Sequence, residues 1–329
     1  MTDFAKYVYA MGRGPSKGRN LTRTEAMDAM AQILAGQVDP HAIGALLMLM
    51  RYRGETPNEI AGFVDAMRMG STKWAELNIA LDWPSYAAGR TRGLPWFLLS
   101  AKLVASAGFP IMLHGWNSHQ NTIASVTNAV QNIGIPTCNT IDEANVSLRE
   151  NGIIYCPLQA LDPNILNLLK LRDVLGLRSA INTALRAYNP SRAPVSVQGV
   201  FHPSYRTLQS QSALLLKQET LAVIKGGGGE FECNPTKDTE VFIVQSDQEN
   251  QYIAPAILSD TKRLSDASNI TDGLQALWQG EIENTFAEKI IISTAAIALH
   301  ACNPAGTYKH SLQYAADLWT QRPPINANG

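Results

Sequence analysis

The sequence predicts an α/β protein with an N-terminal helical lobe in front of a larger α/β lobe, the latter built on a mainly parallel central sheet. Three observations lead there. The first 70 residues are filled by helix-start signals followed by helical apolar stripes. Short apolar runs then alternate with helical stretches, the pattern of strands joined by helical crossovers. The C-terminus returns to helix. The helical lobe is placed at residues 1–73, joined by a helical segment at about 161–187, and the α/β lobe at residues 74–329.

Each element has its own signal. Thr22 and Glu25 have capping-box spacing, and Ala26, Met27, Met30, Ile33 and Leu34 continue as one stripe. Asp39-Pro40 is an N-cap followed by proline at the first helical position, before Ile43, Leu46, Leu47 and Met50. Thr56-Pro57-Asn58-Glu59 repeats the start signal, with Ile60, Phe63, Val64 and Met67 on one face and Gly70 as the stop. The α/β part begins with a strand at Ile79 and Leu81, then a helix from about Leu94 to Ala107. A strand at 110–113, a helix at about 123–133 and a strand at 153–156 follow, and Asp162-Pro163 opens a helix that ends at Gly176. Strands are placed at 195–200, 221–224 and 241–244, with a helix after His202-Pro203. Helices at 283–302 and 308–319 close the chain.

Composition narrows the class. Of 329 residues, 45% are hydrophobic and 17% charged, which excludes a disordered chain. No uninterrupted apolar run approaches the roughly 18 residues of a membrane span. The first residues carry no apolar signal core, so a cytoplasmic protein without membrane contact is expected. Cys138, Cys156, Cys233 and Cys302 are far apart, without metal-ligand spacing, and are expected as reduced structural thiols. The net charge of -1 hides an uneven distribution. Residues 1–23, 86–117 and 166–216 carry +4, +3 and +5, leaving -13 for the rest. Such stretches can converge on one face or lie on separate solvated helices.

The segment LTRTEAMDAMAQILAGQVDPHAIGALLMLMRYRGETPNEIAGFVDAMR resembles the N-terminal lobe of anthranilate phosphoribosyltransferase, shared with pyrimidine nucleoside phosphorylases in glycosyltransferase family 3. LLKLRDVLGLRSAINTALRAYNP continues the resemblance, with an Arg, L-G-x-R, an Asn and a closing Asn-Pro in family order. The resemblance implies a nucleoside phosphorylase/phosphoribosyltransferase class II-like fold, a ligand between the lobes, and a homodimer through the N-terminal helices. It also implies transfer of a phosphoribosyl group to anthranilate, in which phosphate-binding backbone N–H groups and carboxylate-held Mg²⁺ carry the chemistry.

Compared motif by motif, the family's glycine loop falls near Trp83 to Ala87, without a glycine pair. Its Asn-x-Ser-Thr falls at Pro95, Trp96, Phe97 and Leu98. Of its Lys-His-Gly-Asn-Arg segment, His114 and Gly115 remain, beside Trp116 and Asn117. Its metal-binding Asp-Glu pair corresponds to Phe231-Glu232, which leaves Glu232 as a single metal-ligand candidate. Arg172 stands where the family has an anthranilate-contacting Arg, and Lys225 leads the run Gly226 to Gly229, an anion-cradle candidate. His114, Gly115, Asn117, Arg172 and Lys225 are therefore a residual ligand site.

The replaced loops bring aromatic and arginine side chains, which suit phosphates and unstacked bases. WPSYAAGRTRGLPWFLLSA resembles the YbiB-like, nucleic-acid-binding paralogues of this family. That resemblance implies DNA or RNA bound without sequence preference, and by charge and aromatic character the contacts are expected from Trp83, Arg90, Arg92, Trp116, Arg178 and Arg186, with no catalytic residues, no cofactor and anthranilate activity lost. The alternative is an active transferase acting on anthranilate or a related acceptor, with Mg²⁺ as cofactor. A ligand sensor or partner-binding scaffold is a third reading.

Overall fold

The computed structural model describes residues 3–87, 93–116, 125–264 and 273–324. The chain begins with α1 (Ala5–Gly12), α2 (Arg23–Leu34), α3 (Pro40–Arg53) and α4 (Pro57–Met69). All three expected starts form. Thr22 and Thr56 close reciprocal capping boxes with Glu25 and Glu59, and Asp39 caps α3 through His41 N, with Pro40 at the first position. Glu59 does more than cap. Buried, it accepts from Thr56 N at 2.9 Å and Thr56 Oγ1 at 2.8 Å, and its other oxygen accepts from Leu21 N at 2.9 Å. Glu59→Ala would leave the buried Leu21 N and the half-buried Thr56 donors unmatched. We expect it to cost about 2–4 kcal/mol in urea unfolding, against about 1 kcal/mol for the exposed Glu25→Ala.

The α/β part runs β1 (Leu81–Ser85), α5 (Phe97–Ser106), β2 (Ile111–Gly115), α6 (Val126–Asn132), α7 (Ile141–Asn151), β3 (Ile153–Pro157), α8 (Leu158–Leu161), α9 (Pro163–Leu175) and α10 (Ala180–Arg186). It continues with β4 (Val195–Val200), α11 (Ser204–Leu215), β5 (Thr220–Lys225), β6 (Thr239–Gln245), β7 (Gln248–Ala254), α12 (Gly273–Gln279), α13 (Thr285–Cys302) and α14 (Tyr308–Thr320). The seven strands lie in the order β3-β2-β1-β4-β5-β6-β7. The first five are parallel, and β6 and β7 add an antiparallel hairpin at one edge.

Two large cores hold this together. One gathers the sheet, α5, α13 and α14. By length and composition α13 alone, among the described residues, could cross a membrane, but most of it is buried against α5, α14 and the sheet. The other core joins the stripes of α2, α3 and α4 to Ile165, Leu168 and Leu169 of α9 and Ile181 and Leu185 of α10. Part of the apolar surface of the helical lobe is covered within the chain, while Tyr9, Tyr52 and Met69 stay exposed and Met27, Leu34, Ile43 and Leu49 are only partly buried.

Candidate functional site

Strand order reverses between β1 and β4, both parallel, so the crevice outside their carboxyl ends is where such sheets bind ligands. The wall at β1 and β2 is closed. Trp83 is 0% exposed, stacked on Phe97 at 6.3 Å and edge-on to Phe231 at 5.3 Å. It offers no face for a base, which corrects its expected role in stacking. Trp96 is likewise buried. Trp116 is half-buried against the core of the helical lobe. His114 is buried with Nε2 3.0 Å from Asp82 Oδ1 and Nδ1 2.7 Å from Tyr86 OH, and Ser196 Oγ donates to Asp82 Oδ2 at 2.8 Å. This chain of side chains ties β4, β1 and β2 together, and burial pushes the Tyr86 phenol well above its usual range. Gly115 pairs with Ser85 in the β1–β2 register. His114 and Gly115 thus belong to the wall of the sheet.

Three of the four amides of the glycine run are turned into the fold. Gly226 N donates to Val200 O, Gly227 N to Glu232 O and Gly229 N to Gly226 O, so these amides are committed within the fold. Lys225 is exposed at the end of β5. The run instead brings the next segment against the sheet. A Cβ on Gly226 would sit 1.7 Å from Glu230 O, and one on Gly199 2.0 Å from Glu230 C. Glu230, buried, accepts through Oε1 from Ser85 Oγ and Ala87 N, each at 3.0 Å. Glu232, also buried, accepts from Phe97 N at 3.1 Å and so caps α5 from outside the helix. These contacts do not fit Mg²⁺, which demands near-octahedral oxygen ligation. Both carboxylates hold backbone N–H groups among Trp83, Phe97 and Phe231, and no group of three or more His, Cys, Asp or Glu suited to a metal occurs among the described residues. Glu232 Oε2 serves as a helix cap here, and no cluster of further ligands completes a metal site around it among the described residues.

The open space lies on the other side of β4. A cavity of ≈ 310 Å³ is bounded by Arg51 and Glu55 of the helical lobe, by the α9–α10 stretch from Arg172 to Arg186, and by Phe201, Tyr205 and Gln209 after β4. Arg172, in the last turn of α9, and Arg178, in the turn opened by Gly176 at φ +68°, line this cavity, and Arg186 forms part of its wall. Arg178 lies 5.9 Å from the Phe201 ring, and Phe201 is 48% exposed. No carboxylate pairs with Arg178 among the described residues. Burial first, then repulsion from Arg172 and Arg51, holds its pKa below the usual arginine value. Arg51 donates to Tyr205 OH, which donates to Glu55. Arg186 is buried, donating to Gly199 O and Asn182 O, and burial pulls it down to about 10 while Glu230 opposes that. Asn182 Nδ2 is buried on the same wall without a hydrogen-bond partner. Like-signed charges gathered in a half-buried cavity favour an anion.

Of the residues singled out in the sequence, this cavity brings together Arg172, Arg178 and Arg186. Arg90, Arg92 and Asn117 lie outside the described residues. Much of the described charge of the three basic stretches is engaged locally. In the first, Lys6 pairs with Asp3, Arg19 with Glu25 and Arg23 with Asp65. In the second, Lys102 donates to Ile133 O, and in the third Arg206 pairs with Glu240. Arg51, Glu55, Phe201, Tyr205, Gln209 and Glu230 had no signal of their own, because only the fold brings them to the crevice. Asn182 was visible within its motif.

Comparison with known proteins agrees with this architecture. Residues 15–69 match the helical bundle domain of the glycosyl transferase family and residues 97–321 its a/b domain. Similar curated proteins include the anthranilate phosphoribosyltransferases of Metallosphaera sedula, 23% identical over 94% of this chain and 90% of that one, and of Desulfitobacterium hafniense strain DCB-2, 25% identical over 92% and 91%. Among solved structures, the anthranilate phosphoribosyltransferase of Thermus thermophilus aligns with a TM-score of 0.76 at 21% identity, covering 97% of this chain and 94% of that one. The Saccharomyces cerevisiae enzyme in complex with PRPP and Mg aligns at 0.78 and 17%, covering 97% and 93%. At that identity the structural likeness speaks for the fold. These relatives are named for a transfer between small molecules, which overturns the expectation of a DNA or RNA partner. The structure removes part of its physical basis as well, since Trp83 is buried and Arg186 is engaged inside the protein. By the match of both domains, this chain belongs to the glycosyl transferase family of helical bundle and a/b domains.

Proposed function

We propose that the chain performs the small-molecule chemistry of its relatives, transferring a phosphoribosyl group to anthranilate or a related small aromatic carboxylate held in the arginine cavity. The observation that carries this is the convergence of Arg172 and Arg178 beside the exposed Phe201 ring, with Arg186 and the Asn182 amide behind them. Arginine forks match a carboxylate, and Phe201 offers a face to an aromatic ring. The acceptor nitrogen would then attack the anomeric carbon of the donor. The new C–N bond forms as the C–O bond to pyrophosphate breaks, and the nitrogen sheds its proton. The cavity's own contribution is to fix the acceptor's carboxylate and ring, which turns an encounter into a positioned attack. The four free cysteines accord with a cytoplasmic setting.

A second reading has its own support. Trp83, Phe97 and Phe231 fill the crevice at β1, as they would in a protein that binds the acceptor-type ligand without turnover. Loss of anthranilate fluorescence with phosphoribosyl pyrophosphate present, followed alongside anthranilate binding, separates the two. Binding with turnover supports transfer, binding alone supports a sensor, and absence of both contradicts the assignment of the cavity.

A further inference from the structure

We infer that the arginine cavity selects its ligand by an N–H group as well as by a carboxylate, and that Gln209 is the positioning residue whose amide oxygen accepts from that N–H. The inference rests on the reading of the cavity as a site for a small aromatic carboxylate, and adds the chemistry of the ligand's second substituent. Arginines are donors only and account for the carboxylate. They leave unexplained three polar atoms of the cavity's lining residues that are buried without a hydrogen-bond partner, Asn182 Nδ2, Gln209 Oε1 and Glu55 Oε1. One of these is a donor and two are acceptors. A ligand bringing only negative charge would satisfy the donor and leave both acceptors unmatched.

The other polar atom of each side chain fixes which one is left over. Gln209, fully buried on α11, donates through Nε2 to Thr183 O at 2.9 Å. Only the amino end can donate to a carbonyl, so the amide oxygen remains. Asn182, buried at the third position of α10, accepts through Oδ1 from Ser179 N at 3.3 Å in the capping box, so its amino group remains. Glu55 accepts from Tyr205 OH through Oε2 at 3.0 Å, which leaves Oε1. The bond to Thr183 O holds Gln209 beside the residue that follows Asn182, yet the free donor and the free acceptor do not bond each other. Such a pair matches a ligand in which a carboxylate oxygen lies next to an N–H, the arrangement of an ortho-aminobenzoate. An amide oxygen holding that N–H also fixes the direction of the nitrogen lone pair, so the contact orients the nucleophile while recognising it.

Calorimetric titration of anthranilate and of 2-methylbenzoate into the full chain tests this. The two ligands share the ring, the carboxylate and an ortho substituent of similar size, and only anthranilate carries N–H donors. The wild type is expected to bind anthranilate at least about tenfold more tightly, because the other ligand leaves a buried acceptor unmatched. Gln209→Met, close in volume and without the amide, is expected to reduce that ratio at least about threefold by weakening anthranilate alone. A merely structural role would weaken both ligands together. Gln209→Glu keeps an acceptor oxygen at the position and is expected to keep the preference, and it decides the matter if the methionine variant does not fold. Equal wild-type affinity for the two ligands overturns the inference and leaves the carboxylate site standing. A preference that Gln209→Met leaves intact, or that Gln209→Glu abolishes, does the same. Binding of neither ligand overturns the reading of the cavity itself, and this inference with it.

Discussion

Replacing Trp83 by Ala lowers the unfolding free energy by about 3–5 kcal/mol, because a large buried aromatic is lost from a packed core and the void closes only in part. The ring stacks on Phe97 at the start of α5 and meets Phe231 edge-on. The void would open where β1, α5 and the Glu230–Glu232 segment meet. Trp83→Phe costs far less, since it keeps most of the apolar volume and removes an indole N–H that is buried without a partner. Urea unfolding of the two variants beside the wild type measures both effects. A loss below about 0.5 kcal/mol for Trp83→Ala, the range of ordinary surface substitutions, would mean that the indole is not part of the core.

Trp83 also shows where the sequence stops being legible. The strand expected at Ile79 and Leu81 runs on through Ser85, so the tryptophan lies inside a central strand and not in the loop after it. A five-residue strand ending in Trp-Pro-Ser has no alternation to reveal this, since all five side chains are buried. The capping boxes at Thr22 and Thr56 were readable because their chemistry is local, and so was the β4 strand at 195–200. By contrast α7 has the box Thr140–Glu143 but almost no apolar stripe, with Ala144 its one buried residue, and it escaped notice. The polar edge strand β7 is mostly exposed. It follows a tight turn in which Ser246 and Asp247, without glycine, take positive φ. The arginines at 172, 178 and 186 were visible as charge. Their meeting with Arg51, Glu55 and Tyr205 depends on packing between segments more than 100 residues apart, as in the Arg51–Tyr205 bond. Glu230 sat beside a glycine run read as an anion-cradle candidate, and only its contacts with Ser85 and Ala87 reveal what it does.

The second large effect is on ligand binding. Arg178→Ala is expected to weaken anthranilate binding by roughly 10–100-fold, the loss of about 1.5–3 kcal/mol for a hydrogen bond to a charged group. Arg178 is the better probe than Arg186, which supports Gly199 and Asn182 and would disturb the fold when removed. Among the described residues Arg178 makes no hydrogen bond or ion pair that its loss would break, so thermal stability should change little. Arg178→Lys should recover only part of the affinity, because an ammonium cannot reproduce the planar two-point contact with a carboxylate.

Calorimetric titration of anthranilate into the wild-type chain and into Arg178→Ala tests the central claim, that the arginine cavity holds a small aromatic carboxylate. The account predicts saturable one-site binding to the wild type and a dissociation constant at least about tenfold larger for the variant. Anthranilate bound equally well by both proteins, or by neither, would contradict it.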